Sequence, residues 1–199
     1  ERYSKKKNDA HLNKEIVSAA MSFGVPDAIA FYENRWLKKH RQLCDFRFGD
    51  VMDFSKFPRK YLANFGLGKT DLYVFDHHES HAAAGYYTSD FDEAAIVVID
   101  AIGEWQTITI WKAVGDKMTL LEEVNYPSSI GLLYSAFTKR CGFKPNEEEY
   151  ILMGMSAYGT PIHKQKMYDD FIDQNSLFAL KRRCEKGVGD YMSDARVED

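Results

Sequence analysis

Residues 76 to 85 read DHHESHAAAG and place three of the chain's six histidines within five positions. On an α-helix four residues rise about 6 Å and turn about 40° past a full circle, so His77 and His81 project from one face on successive turns. Two imidazoles so placed can share a metal ion at about 2 Å from each nitrogen. His78 points about 100° round the helix, which suits a hydrogen-bonding neighbour better than a third ligand. Two neutral rings leave a divalent ion short of compensating charge. Asp100 ends the apolar run AAIVVI, where a sheet opens its strand ends to a crevice. A carboxylate there is costly without a partner, and a cation resolves it. Two imidazoles, one carboxylate and open positions suit iron(II), zinc or manganese, and geometry alone does not choose among them. An HxxxH pair by itself is often a solvated polar face. Here it follows a buried strand and precedes AAAG, whose small residues permit another backbone to approach closely.

Two glycines carry a weaker signal. Gly103, in IDAIGEW, either lets backbone N–H groups approach a phosphate or simply turns a hairpin. Gly131, in PSSIGLLY, stands near a helix start, where free N–H groups receive a phosphate or the missing side chain allows packing. A zinc-protease reading of the histidines fails on spacing, because HExxH wants glutamate directly after the first histidine and Glu79 comes one position late.

The elements that must position these residues follow from periodicity. Apolar residues at helical spacing predict a helix from Leu12 to Phe23, stopped at Gly24 and Pro26. AIAFYE at 28–33 reads as a strand, RWLKKHRQLC at 35–44 as a helix with a basic solvated face, and Pro58 as the start of another helix. LYVFD at 72–76 suits a buried strand that delivers the chain into the histidine helix. Runs at 94–100, 104–113 and 118–126, joined by tight turns, predict an antiparallel meander. The period then changes to about 3.6, with Ser128 or Ser129 as a cap before Ile130, and a second helix is expected over 146–159. Beyond Pro161, 163–174 looks helical and 176–182 strand-like, with no closing element after them. The order predicts an α/β domain with a mixed sheet that includes the meander.

Read in order, ERYSKKKND, FDHHESHAAAGYYTS, VVIDAIGEW, YPSSIGLLYSAFTKRCGF and NEEEYILMGMSAYG resemble the carbamoyltransferases of the nodulation and antibiotic-biosynthesis type. The resemblance implies part of a domain of the actin, hexokinase and sugar-kinase superfamily, related to the proteins that make threonylcarbamoyladenosine in tRNA. It implies that carbamoyl phosphate and ATP give a carbamoyl-adenylate in a separate carboxy-terminal domain. The metal-bearing domain then passes the carbamoyl group to a hydroxyl of a small-molecule acceptor. By the same resemblance His77, His81 and Asp100 match iron ligands, Lys7 matches a lysine near the active site, and Gly103 and Gly131 fall in nucleotide-facing loops. His78 is a candidate proton acceptor for the attacking hydroxyl. The chain departs from the family at Asn8, Ala101 and Ile151, where histidine, glycine and lysine are usual. It looks like a fragment of an amino-terminal domain whose partner is the remainder of the same polypeptide. A tRNA threonylcarbamoyl transferase is the rival enzyme, opposed by IDAIGEW, and a non-catalytic actin-like ATP-binding domain is the rival from another class.

The bulk numbers agree. The 199 residues are 45% hydrophobic and 28% charged, enough for a buried core. A net charge of -4 gives no footprint for nucleic acid, and no run is long enough to span a bilayer. Three well-separated cysteines suit a reducing, cytoplasmic setting.

Overall fold

The protein is described by a computed structural model covering residues 14–54, 57–176 and 180–181. Backbone contacts divide it into two units between Asp76 and His77. In the first, helix α1 (Lys14–Met21) turns Val17 into an apolar cluster with Leu62 and Leu67, joined by Met21, Ile29, Phe65 and Leu72. Strand β1 (Ala28–Phe31) pairs in parallel with β2 (Asp71–Val74), in a register from Ala28 opposite Asp71 to Phe31 opposite Val74. Three helices connect them: α2 (Arg35–Cys44), α3 (Phe48–Met52) and α4 (Pro58–Ala63). Asn34 starts α2 by accepting the N–H groups of Trp36 and Leu37, and Pro58 opens α4 where a missing N–H costs nothing.

The second unit begins with α5 (His77–Tyr87), followed by strands β3 (Glu93–Ile99), β4 (Gln106–Val114) and β5 (Lys117–Asn125). The strands form the expected meander, antiparallel in the order β3-β4-β5. Helix α5 packs on β3 and β4 through His78, Ala82 and Tyr86, which recur at i, i+4 and i+8. Ala82 meets Val98 and Trp111 there, with Ile96 and Met118 around them. The opposite face of the sheet leaves Val97, Ile99 and Val114 exposed. Helix α6 (Ile130–Arg140) places Leu133 in a second cluster with Leu180, Phe137 and Phe171. Helix α7 (Glu149–Met155), a 3-10 turn (Ser156–Tyr158) and α8 (Lys164–Phe171) complete the described elements. Among the described residues no helix is long and apolar enough to cross a membrane.

The sequence reading needs correction in several places, and the run at 72–76, expected as a buried strand, leaves Tyr73, Val74 and Phe75 exposed. Among the described residues the strands form two ladders, the parallel pair and the meander, instead of the one mixed sheet expected, because hydrophobic runs identify strands without identifying their partners. Strand β1 stops at Phe31 because Glu33 turns inward to pair with Arg35 at 2.8 Å and Lys38 at 2.6 Å. Strand β4 starts at Gln106, two residues later than expected, because Glu104 serves α5 instead of the ladder. Helix α3 was not expected. Lys39 Nζ satisfies the carbonyls of Asp50, Val51 and Asp53 at the end of that single turn, which FGDVM alone does not signal. The beginning of the expected first helix, residues 12 and 13, lies outside the described residues, as do positions 177–179 and 182 of the 176–182 run. From that run, Leu180 makes one antiparallel bridge to Ile172.

Candidate metal centre

Two elements supply the site. Helix α5 presents His77 and His81 one turn apart, and the end of β3 presents Asp100. His77 Nε2 lies 2.9 Å from Asp100 Oδ2 and 3.1 Å from His81 Nε2, and His81 Nε2 lies 3.8 Å from Asp100 Oδ2. One ligand atom from each falls within 4.8 Å of the others, the grouping that the sequence predicts. Ligands about 2.1 Å from a common ion stand about 3.0 Å apart when octahedral neighbours and about 3.4 Å apart when tetrahedral, so these separations suit a shared cation.

The proton on His77 Nε2 can go to Asp100, and His81 Nε2 can then only share that one N–H as a second acceptor. Three converging donors of electron density are the arrangement that a cation settles. The donor set fits iron(II), zinc or manganese. The bond from His77, aided by the Ala101 N–H at 2.7 Å on Oδ1, holds the Asp100 carboxyl down at about 2 against the opposing effect of burial. Asp100 is therefore an anion over the whole working range.

The turn that carries Asp100 is held from two sides. Ser129 caps α6 by accepting the Leu132 N–H at 3.0 Å, and its hydroxyl donates to the Ala101 carbonyl at 2.6 Å. Gly131 lies against the same turn so closely that an added Cβ would stand 2.6 Å from Ala101 Cα and 2.7 Å from Ala101 N. Gly103 approaches from the other end, where a Cβ would meet His77 Cβ and His78 Cδ2, both at 3.1 Å. Close packing around the ligands is thus one requirement for both glycines.

His78 lies beneath the site and is fully buried. Its Nδ1 is 3.0 Å from Thr109 Oγ1, which also accepts the Trp111 indole N–H at 2.8 Å. The indole can only donate, which leaves the hydroxyl's own proton available to His78 Nδ1 when the neutral ring carries its proton on Nε2. Among the described residues Nε2 is buried with no hydrogen-bond partner, and the Gln106 backbone lies close to the ring. Burial pushes the imidazole down to about 4 despite the attraction of Asp100, with His77 and His81 adding to the fall. Lys7 lies outside the described residues.

Sequence reasoning missed Glu104. This residue is 3% exposed and both of its carboxylate oxygens accept the His77 backbone N–H, at 3.2 and 3.1 Å. The only signal was a carboxylate following the glycine of the IDAIGEW turn, with nothing to connect it to a helix start 27 residues earlier.

A helix-borne histidine pair facing a strand-end aspartate, on an α/β frame, defines a candidate metal-binding domain. The model of the carbamoyltransferase N-terminus matches residues 36–195, and the chain belongs to that family. The uncharacterized protein sll1178 of Synechocystis is 34% identical over 199 residues, covering 87% of this chain and 32% of that protein. Nodulation protein NolNO of Sinorhizobium fredii is 29% identical over 97 residues, covering 49% of this chain and 14% of its own length. Nodulation protein NolO of Bradyrhizobium diazoefficiens is 28% identical over 102 residues, covering 49% and 18%. The chain spans about a third or less of the length of these relatives.

Proposed function

We propose that this chain is the metal-bearing part of an ATP-dependent O-carbamoyltransferase with a domain of the actin, hexokinase and sugar-kinase type. In this reading the longer polypeptide forms a carbamoyl-adenylate from carbamoyl phosphate and ATP, with phosphate leaving the carbamoyl group and pyrophosphate leaving ATP. The carbamoyl group then passes to a hydroxyl of a small-molecule acceptor, and AMP departs as the leaving group. The observation that carries the reading is the convergence of His77, His81 and Asp100 in a chain of the carbamoyltransferase family.

A carbamoyl carbonyl is a poor electrophile. His77, His81 and Asp100 would hold iron(II) or another divalent ion, which would supply a Lewis acid for the charge that gathers on the carbonyl oxygen. Asp100, kept ionised, balances part of the ion's charge, while His77 and His81 contribute neutral nitrogens and leave further positions open. Ser129, Gly131 and Gly103 fix the turn between the ligands, and in this proposal the backbone of that turn is also what ATP approaches. A proton acceptor must reach the acceptor hydroxyl, and His78, enclosed beneath the helix with Nδ1 engaged by Thr109, supports the site's geometry in this conformation. Lys7 enters through the resemblance alone.

The test is to incubate the intact protein with carbamoyl phosphate, ATP, iron(II) and a panel of sugars, aminoglycosides, cephem nuclei and nucleosides, and to detect AMP and the carbamoylated alcohol by mass. The reading expects product, lost in His77→Ala and reduced in Lys7→Ala. Activity unchanged in His77→Ala, or adenylate formation with no metal requirement in the transfer step, would refute it.

A further inference from the structure

The geometry points to Glu104 as a positioning residue of the metal centre, one that acts on the ion through His77 rather than by touching it. The inference rests on the metal reading of His77, His81 and Asp100. Three observations carry it. The first is the three-centre bond in which both Glu104 oxygens accept the N–H of His77, the residue that starts α5 and provides its first ligand. The second is burial: a carboxylate left 3% exposed is removed from water and is strongly felt by charges near it. The third is the preceding residue, because Gly103 lies within Cβ contact distance of both His77 and His78 and brings the turn against the helix start.

Each observation bears on the ligand. A helix start has N–H groups with no partner inside the helix, and its dipole favours negative charge there. Glu104 satisfies one such group from the β3–β4 turn, so the first residue of α5 is fixed to the same turn that carries Asp100. The angle at which the His77 ring meets Asp100 is then set from both ends. A carboxylate stands at each end of His77, Asp100 at the ring and Glu104 at the backbone N–H, so both ends of the residue are held by the one turn.

The roles separate by substitution in the intact protein, with Co(II) as a spectroscopic probe for iron(II). Glu104→Gln keeps an acceptor oxygen but loses the charge, and Glu104→Ala loses both. Co(II) affinity should fall about tenfold in Glu104→Gln and further in Glu104→Ala. Exchange of the His77 amide in the metal-free protein should quicken about tenfold in Glu104→Ala and be largely restored in Glu104→Gln. Should the glutamine variant not fold, Glu104→Asp, which keeps the charge and shortens the reach, is expected to bind Co(II) several-fold more weakly. Variants that bind Co(II) within twofold of the wild type would overturn this inference alone. A wild-type protein that binds no Co(II) would overturn the metal reading, and this inference with it.

Discussion

Gly131→Ala should damage the site without touching a ligand. An alanine Cβ at this position would stand 2.6 Å from Ala101 Cα, 2.7 Å from Ala101 N and 2.8 Å from the Asp100 carbonyl. Those distances fall about 0.6–0.8 Å short of an ordinary contact near 3.4 Å. All three atoms are backbone, so no rotamer change relieves the overlap and either α6 or the Asp100 turn must move. Ser129 ties the two together through Leu132 N–H and the Ala101 carbonyl, and opening the gap would strain that link. Overpacking of this kind costs about 1–3 kcal/mol, and the weakened hydrogen bond adds about 1 kcal/mol. The better helix propensity of alanine offsets up to about 1 kcal/mol of this, so a net loss of about 2 kcal/mol is expected. A ligand tolerates only about 0.2 Å of misplacement, so shifting Asp100 by half an ångström or more should weaken metal binding about 10- to 100-fold. Urea unfolding of the metal-free protein and Co(II) titration measure the two effects. Gly85→Ala is the control, since nothing lies within 4 Å of its added Cβ and neither quantity should fall. A Gly131→Ala protein with wild-type stability and wild-type metal affinity would refute the packing argument.

Acid should destabilise the metal-free protein through His78. Its folded pKa of about 4 lies below the 6.5 of an ordinary imidazole, so its contribution is complete above pH 6.5 and is lost as pH falls through 4, by at most about 3 kcal/mol. An NMR titration of the His78 ring tests this, and a midpoint near 6.5 would contradict it. Thr109→Val removes the hydroxyl shared by Trp111 Nε1 and His78 Nδ1 and leaves two buried polar atoms without that partner, a loss of about 2–4 kcal/mol in denaturant unfolding that Thr109→Ser should largely spare. Lys39→Met strips three carbonyls of their donor at the end of α3, so hydrogen exchange there should quicken about tenfold with little change in the meander.

What the sequence discloses about this molecule is mostly what local periodicity controls. The continuous apolar run AAIVVI, the alternation in QTITI and the short turn after Val114 sufficed for the meander. The four-residue spacing of His77 and His81, read with the strand ending at Ile99, sufficed to bring the three side chains together. Ser129 was legible as a cap, one of two serines named, but its second bond to Ala101 was not. The unread features share a cause: each depends on a partner distant in sequence. Helix α3 depends on Lys39 from α2, the enclosed state of His78 on Thr109 from β4, and the start of α5 on Glu104 from the turn between strands. Strand pairing failed for the same reason, since β1 and β2 look like any short apolar runs until their partners are known.

The central claim is that His77, His81 and Asp100 hold one divalent ion. X-ray absorption at the iron edge, on the intact protein loaded with one equivalent of iron(II), tests it most directly. The account predicts a first shell at about 2.1 Å containing two imidazole nitrogens, with the outer-ring scattering of both, and loss of one imidazole in His81→Ala. A shell of oxygen alone, or one unchanged by substituting either histidine, would contradict it.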